Sequence, residues 1–234
     1  MLEKTPHQGD WGDAARDLSI CLLASTRRHP WPTLASAFYW RDLRERIVGN
    51  LNILIEDCEL ERASFFTIVR REWACHPAEL DEVDIARFKR MLRKNLEDTA
   101  VELIEGFLVG RFEASYDPLA QCYQFHIHGV ATGDYIDAIN KLKGRRSYTP
   151  WPDMAGIPGC KKPVANPDLP IEDAVRAVTY GLKGYWELRN AGRAKRLQGD
   201  EHTRSLLFLD RHRPEDLFLL MGVQVKGGAF DLSV

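Results

Sequence analysis

The recurring apolar positions of the chain change period several times, and each change marks an element. Leu18, Cys21, Leu22 and Ser25 follow a spacing close to 3.6 residues, as do Leu43, Ile47, Leu51, Leu54 and Ile55. Residues 11–60 therefore read as helical, and His29-Pro30-Trp31-Pro32 divides them into two helices. Ser64 to Val69 is a short run of aromatic and β-branched residues, which predicts a buried strand. The helical period returns over 84–95 through Ile85, Phe88, Met91 and Leu92. Residues 104–115 and 122–132 predict two strands joined by a turn around Asp117-Pro118. Gly133-Asp134 opens a helix running to about Leu142, and residues 149–170, rich in Pro and Gly without any period, predict a long loop. A helix is predicted over 171–188, with Glu172 and Asp173 at its start, where the helix dipole favours acids. The tail predicts one more strand over 206–209 and a helix beginning near Pro214.

Strand, helix, hairpin, helix, loop and helix in this order predict an α+β fold, a central antiparallel sheet flanked by helices. The expected division is an N-terminal helical segment over 1–60 and a main domain over 61–234. At 44% hydrophobic and 28% charged residues, the chain of 234 is too apolar for disorder. No stretch approaches about 18 uninterrupted apolar residues, so no membrane span is expected. The first ten residues lack an apolar core behind a basic head, so no secretory signal is expected either. Five cysteines, Cys21, Cys58, Cys75, Cys122 and Cys160, are scattered and never spaced CxxC. A disulfide scaffold and a zinc ribbon both fit poorly, and a reducing cytoplasm is the expected location.

The net charge of −2 gives no reason by itself to expect nucleic acid. Its distribution does: residues 139–196 hold twelve basic side chains against five acidic ones, a basic block inside an otherwise acidic chain. The plain alternative is a solvated surface.

Candidate chemistry begins with Phe125-His126-Ile127-His128-Gly129. On a strand, residues two apart face the same way, so His126 and His128 present two imidazoles side by side. Two neutral imidazoles at this spacing can chelate a divalent ion, although such a pair also serves purely structural roles. If the hairpin is symmetric about its turn, Glu113 lies opposite His126 and Arg111 opposite His128, which brings a carboxylate to the two rings. The alternative is that Glu113 only pairs with Arg111 or a lysine. Tyr180-Gly181-Leu182-Lys183 forms a second constellation, because residues three apart share a helix face. A tyrosine with its unperturbed pKa of about 10 is a poor nucleophile, and a neighbouring ammonium stabilises its phenolate. A core-facing tyrosine is the alternative there.

In this order the segments resemble the HUH endonucleases, the superfamily of rolling-circle replication initiators, relaxases and related transposases. Phe65 to Val69 is similar to the family's first motif, a strand of the FLTLT kind. His126-Ile127-His128 matches its second, histidine–hydrophobic–histidine, and Tyr180 with Lys183 matches its third. Glu113 matches the glutamate that plasmid initiators carry on the preceding strand. The resemblance spans about residues 64–188. It implies Glu113, His126 and His128 as ligands of a divalent cation, magnesium or manganese, and Tyr180 as nucleophile with Lys183 balancing its charge. It also implies single-stranded DNA or an origin hairpin as partner, cut and rejoined through a 5′-phosphotyrosine link to start rolling-circle replication of a plasmid or phage. Tyr185, five residues after Tyr180, does not fit a second nucleophile. No GxxxxGK[ST] motif is present, so strand separation would fall to a separate host helicase. Two other readings are a non-catalytic DNA-binding relative and a metal-dependent hydrolase of a small phosphoester.

Overall fold

Two helices, a sheet built around one long hairpin, and helices on both sheet faces make up the molecule. The computed structural model describes residues 8–56, 62–99, 105–189, 195–226 and 229–232. In chain order these residues form α1 (Gln8–Ala24), α2 (Ala37–Glu56), β1 (Arg62–Cys75), α3 (Ile85–Glu97), β2 (Leu108–Asp117), β3 (Cys122–Thr132) and α4 (Asp134–Leu142). Then follow β4 (Val164–Ala165), β5 (Asp168–Pro170), α5 (Ala174–Gly181), β6 (Glu187–Leu188), β7 (Lys195–Arg196), α6 (Gly199–Asp210) and α7 (Pro214–Leu217). A short β8 (Phe218–Met221) and the β9 (Val223–Lys226) and β10 (Ala229–Leu232) hairpin complete the order. The fold is α+β, as the element order predicts. Among the described residues, no helix is long and apolar enough to cross a membrane.

The main sheet runs β4-β1-β3-β2-β6-β7, with β5 also on β1 and β8 also on β2. It is antiparallel except for the two-residue β2–β6 pairing, so the sheet is mixed. Short strands flank part of both long outer edges, β5 and β4 along residues 62–68 of β1, β8 and β6 along residues 108–111 and 115–116 of β2. The β2–β3 hairpin turns where expected: Asp117 Oδ1 accepts from the backbone N–H of Leu119 (2.9 Å) and Ala120 (3.1 Å). This is an aspartate capping its own turn, with Pro118 at the position its fixed φ suits.

Alternation along the strands separates two faces. One carries Phe66, Phe112 and Phe125, which belong to an aromatic core continued by Phe88 of α3, Phe208 of α6 and Trp186. Gly110 and Gly129 oppose each other on that face, and the Phe66 ring fills the space a side chain would take. The other face carries Thr67, Arg111, Glu113, His126 and His128. Helix α5 packs against β3 and β1 and also touches α2. Its buried Val178, with Leu182 just beyond it, lines the same small cavity as Arg111 and His128, so the helix lies over this polar face. Helix α2 joins the same core through Trp40, Leu43, Ile47, Leu51 and Leu54.

Three expectations are corrected. The helix over 171–188 is shorter: a 3-10 turn (Ile171–Asp173) leads into α5, which stops at Gly181 with Leu182 at φ −98 and ψ 55. Two poor helix formers, Gly181 and Gly184, sit where the chain turns off, and the turn frees Trp186 for the core and Glu187 for pairing with β2. The strand over 206–209 is instead the end of α6, with Ser205, Phe208 and Leu209 buried at helical spacing. A short apolar run does not distinguish a strand from a buried helix turn. The long loop over 149–170 carries β4, β5 and the bridges Trp151–Cys160 and Met154–Ile157, small structures too short for a period to reveal.

Candidate metal centre

The register of β2 on β3 pairs Glu113 with His126 and Arg111 with His128, the pairing that a symmetric hairpin predicts. Glu113 Oε1 then stands 3.2 Å from Nε2 of His126 and 3.2 Å from Nε2 of His128. The three ligand atoms lie within 4.8 Å of one another, a group that can hold a metal ion. Two ligands about 2.1 Å from one ion, at a right or tetrahedral angle, lie about 3.0–3.4 Å apart. Both Glu113–histidine distances fall in that range, which is also that of an N–H···O hydrogen bond. Side-chain exposures of 10% for Glu113, 13% for His126 and 19% for His128 leave the cluster shielded but open to the surface.

The outer nitrogens test whether a cation fits. His126 Nδ1 lies 3.2 Å from the carbonyl of Gln124, which only accepts, so Nδ1 carries a proton. In the neutral ring, Nε2 is then a bare lone pair facing the Glu113 carboxylate. Two electron-rich atoms at that distance are held together by a proton or a cation between them. His128 Nδ1 meets the hydroxyl of Thr67 at 2.6 Å, and the ring stacks on Phe65 with centroids 5.7 Å apart. Both rings are thus oriented from behind, as ligand histidines are in metal sites.

The charges are arranged to keep the carboxylate ionised. Burial by itself would raise the Glu113 pKa, but the hydrogen bonds and charges of His126 and His128 outweigh it and hold the carboxyl well below its usual range. Burial, with His126 beside it, lowers the pKa of His128, while Glu113 opposes that shift and Lys183 adds to it. The second oxygen, Oε2, faces Arg111 Nη1 at 3.4 Å. Arg111 is almost wholly buried and its pKa is lowered by desolvation to about 10, with Glu113 pulling upward, so it stays charged at neutral pH. Its guanidinium lies 4.1 Å from the Trp40 ring centroid, and Nη1 also donates to the Lys183 carbonyl at 2.7 Å. The sequence left open whether Glu113 serves the histidines or Arg111. One oxygen does each.

Tyr180 lies on α5, and its side chain is outside the described residues. Lys183 falls beyond the helix end, so the two do not share a helical turn. The ammonium of Lys183 pairs with Glu187 Oε1 at 2.6 Å, and its charge still reaches His128. Three residues with a part in this arrangement carry no sequence signal strong enough to find them. Thr67 sits in an apolar strand, Arg111 looked only like a rival for Glu113, and Trp40 lies on a distant helix. Strand alternation could have put Thr67 on a face with Phe65 and Val69, but nothing local specifies that β1 pairs with β3. Compared with protein-family models, curated proteins and solved structures, the chain finds no match.

Proposed function

We propose that this protein cuts and rejoins single-stranded DNA through a 5′-phosphotyrosine link on Tyr180, initiating rolling-circle replication of a plasmid or phage. The observation that supports it is the shielded cluster of Glu113, His126 and His128, on the sheet face against which the tyrosine-bearing helix α5 packs. A magnesium or manganese ion bound by Glu113 Oε1 and the Nε2 atoms of His126 and His128 would polarise the scissile phosphate and offset its developing charge. Tyr180 gives up its phenolic proton and forms the new bond to phosphorus. The bond from phosphorus to the 3′ oxygen breaks in line, and that oxygen takes a proton and leaves as a 3′-hydroxyl. Attack by another 3′-hydroxyl reverses the step, so strands are exchanged without net hydrolysis. Arg111, anchored on Trp40, holds Oε2 so that Oε1 stays with the histidines. Exposed basic residues such as Lys143, Arg146, Lys161 and Lys162 would track the DNA backbone, with binding that weakens as salt rises. Unwinding is left to a separate helicase.

The test is a denaturing-gel assay of the full chain with manganese or magnesium and labelled single-stranded oligonucleotides drawn from plasmid and phage origins. A covalent protein–DNA band that disappears with chelator and with Tyr180→Phe is the expected result. No band across the library overturns the proposal. Phosphoester cleavage that survives Tyr180→Phe would instead favour a water-using hydrolase on the same ligands.

A further inference from the structure

Within the apolar run from Phe65 to Val69, Thr67 is the one polar side chain. Strand β1 sets Thr67 directly opposite His128, its hydroxyl 2.6 Å from Nδ1. We propose that Thr67 is a positioning residue whose hydroxyl orients the His128 ring and accommodates both of its tautomers, so that Nε2 can offer a lone pair to a divalent cation. The proposal rests on the cation-site reading of Glu113, His126 and His128.

The two histidines are held differently, and the difference carries the argument. The carbonyl behind His126 accepts only, which fixes one tautomer whether or not an ion is bound. The hydroxyl behind His128 both donates and accepts. Without an ion, Nε2 of His128, 3.2 Å from Glu113 Oε1, can carry the proton and donate it there while the Thr67 hydroxyl donates to Nδ1. With an ion, the proton leaves Nε2, the ring takes one from solvent at Nδ1, and the Thr67 hydroxyl rotates to accept it. One proton changes nitrogen and the ring's net charge is unchanged. Carbonyl acceptors are frequent behind ligand histidines, but a carbonyl here would leave both rings with bare lone pairs facing one carboxylate when no ion is bound. The hydroxyl relieves one of those two contacts. Phe65, stacked on the ring with only 14° between planes, restrains it from tilting as the proton moves.

Thr67→Val keeps the branched shape and the strand preference but removes the hydroxyl; Thr67→Ser restores it. Manganese binding to the full chain is measured by calorimetry, with melting curves to establish that each variant is folded. Thr67→Val should bind manganese about 10–100-fold more weakly than the wild type, and Thr67→Ser within about 3-fold of it. Nitrogen-15 spectra of the wild-type histidine rings should show the His128 proton moving from Nε2 to Nδ1 on addition of magnesium. Equal manganese affinity in Thr67→Val, or an Nδ1–H ring with and without magnesium, overturns the role of Thr67 and leaves the cation site standing. A wild type that binds no manganese overturns the cation site and this proposal with it.

Discussion

Glu113 meets both imidazoles with one oxygen and the Arg111 guanidinium with the other, and its titration follows from that. Its folded pKa lies below the ordinary 4.5, and that of His128 below 6.5. In both cases the unfolded chain takes up a proton at a higher pH than the folded one, so stability falls as pH falls. The loss begins near pH ~6.5 with His128 and continues below ~4.5 as Glu113 is approached from above its folded value. Melting temperature measured from pH 7 to pH 3.5 in chelator should therefore decline, and Glu113→Gln should flatten the part below about 4.5. An acid limb unchanged in Glu113→Gln would show that the carboxylate is not held by the histidines.

Elements here are fixed by how closely their backbones approach. β2 and β3 meet at Gly110 and Gly129, where the Phe66 ring, the Ile127 side chain and the β2 backbone crowd the places their side chains would take. A Cβ on Gly129 would lie 2.2 Å from the Val109 carbonyl and 2.5 Å from Gly110 Cα, both backbone atoms that cannot swing aside. Gly129→Ala is expected to cost about 2–4 kcal/mol, at about 2–4 °C of melting temperature per kcal/mol for a chain of this size. Because His128 is the adjacent residue, it should weaken manganese binding as well. Gly49, exposed in the middle of α2 with nothing within 4 Å of its missing Cβ, predicts the reverse. Gly49→Ala should stabilise by about 1 kcal/mol through helix propensity alone. Thermal melts of the two variants should move in opposite directions; a shared direction would contradict this account of the sheet.

Across the whole molecule, Trp40 joins what lies far apart in the chain. Its indole Nε1–H donates to the Leu182 carbonyl at 2.9 Å, its ring supports the Arg111 guanidinium, and Gly184 passes against its edge. Helix α2, the Lys183 segment and strand β2 thus share one anchor. Trp40→Ala should cost about 3–5 kcal/mol from the cavity it leaves, while Trp40→Phe keeps most of the packing and loses about 1 kcal/mol with the hydrogen bond. Urea unfolding measures both, and a Trp40→Ala loss no larger than that of Trp40→Phe would show that the anchor carries little.

The local sequence determined the hairpin and, through it, the candidate triad. Asp117-Pro118 set the turn, the turn set the register, and a period of two put Glu113, His126 and His128 on one face. Every step there involves residues near one another in the chain, where periodicity and turn chemistry are legible. The same logic found α2 and α3, whose apolar spacing runs over two or more turns. It failed over 182–188 and 206–209, where a few apolar residues satisfy either period and tertiary burial chooses between them. Only the folded chain decided that Thr67 stands behind His128, that Arg111 takes the second oxygen of Glu113, and that Trp40 covers Arg111. Those contacts join strands and helices tens of residues apart. Their partners are selected by the packing of the whole core, which no local pattern encodes.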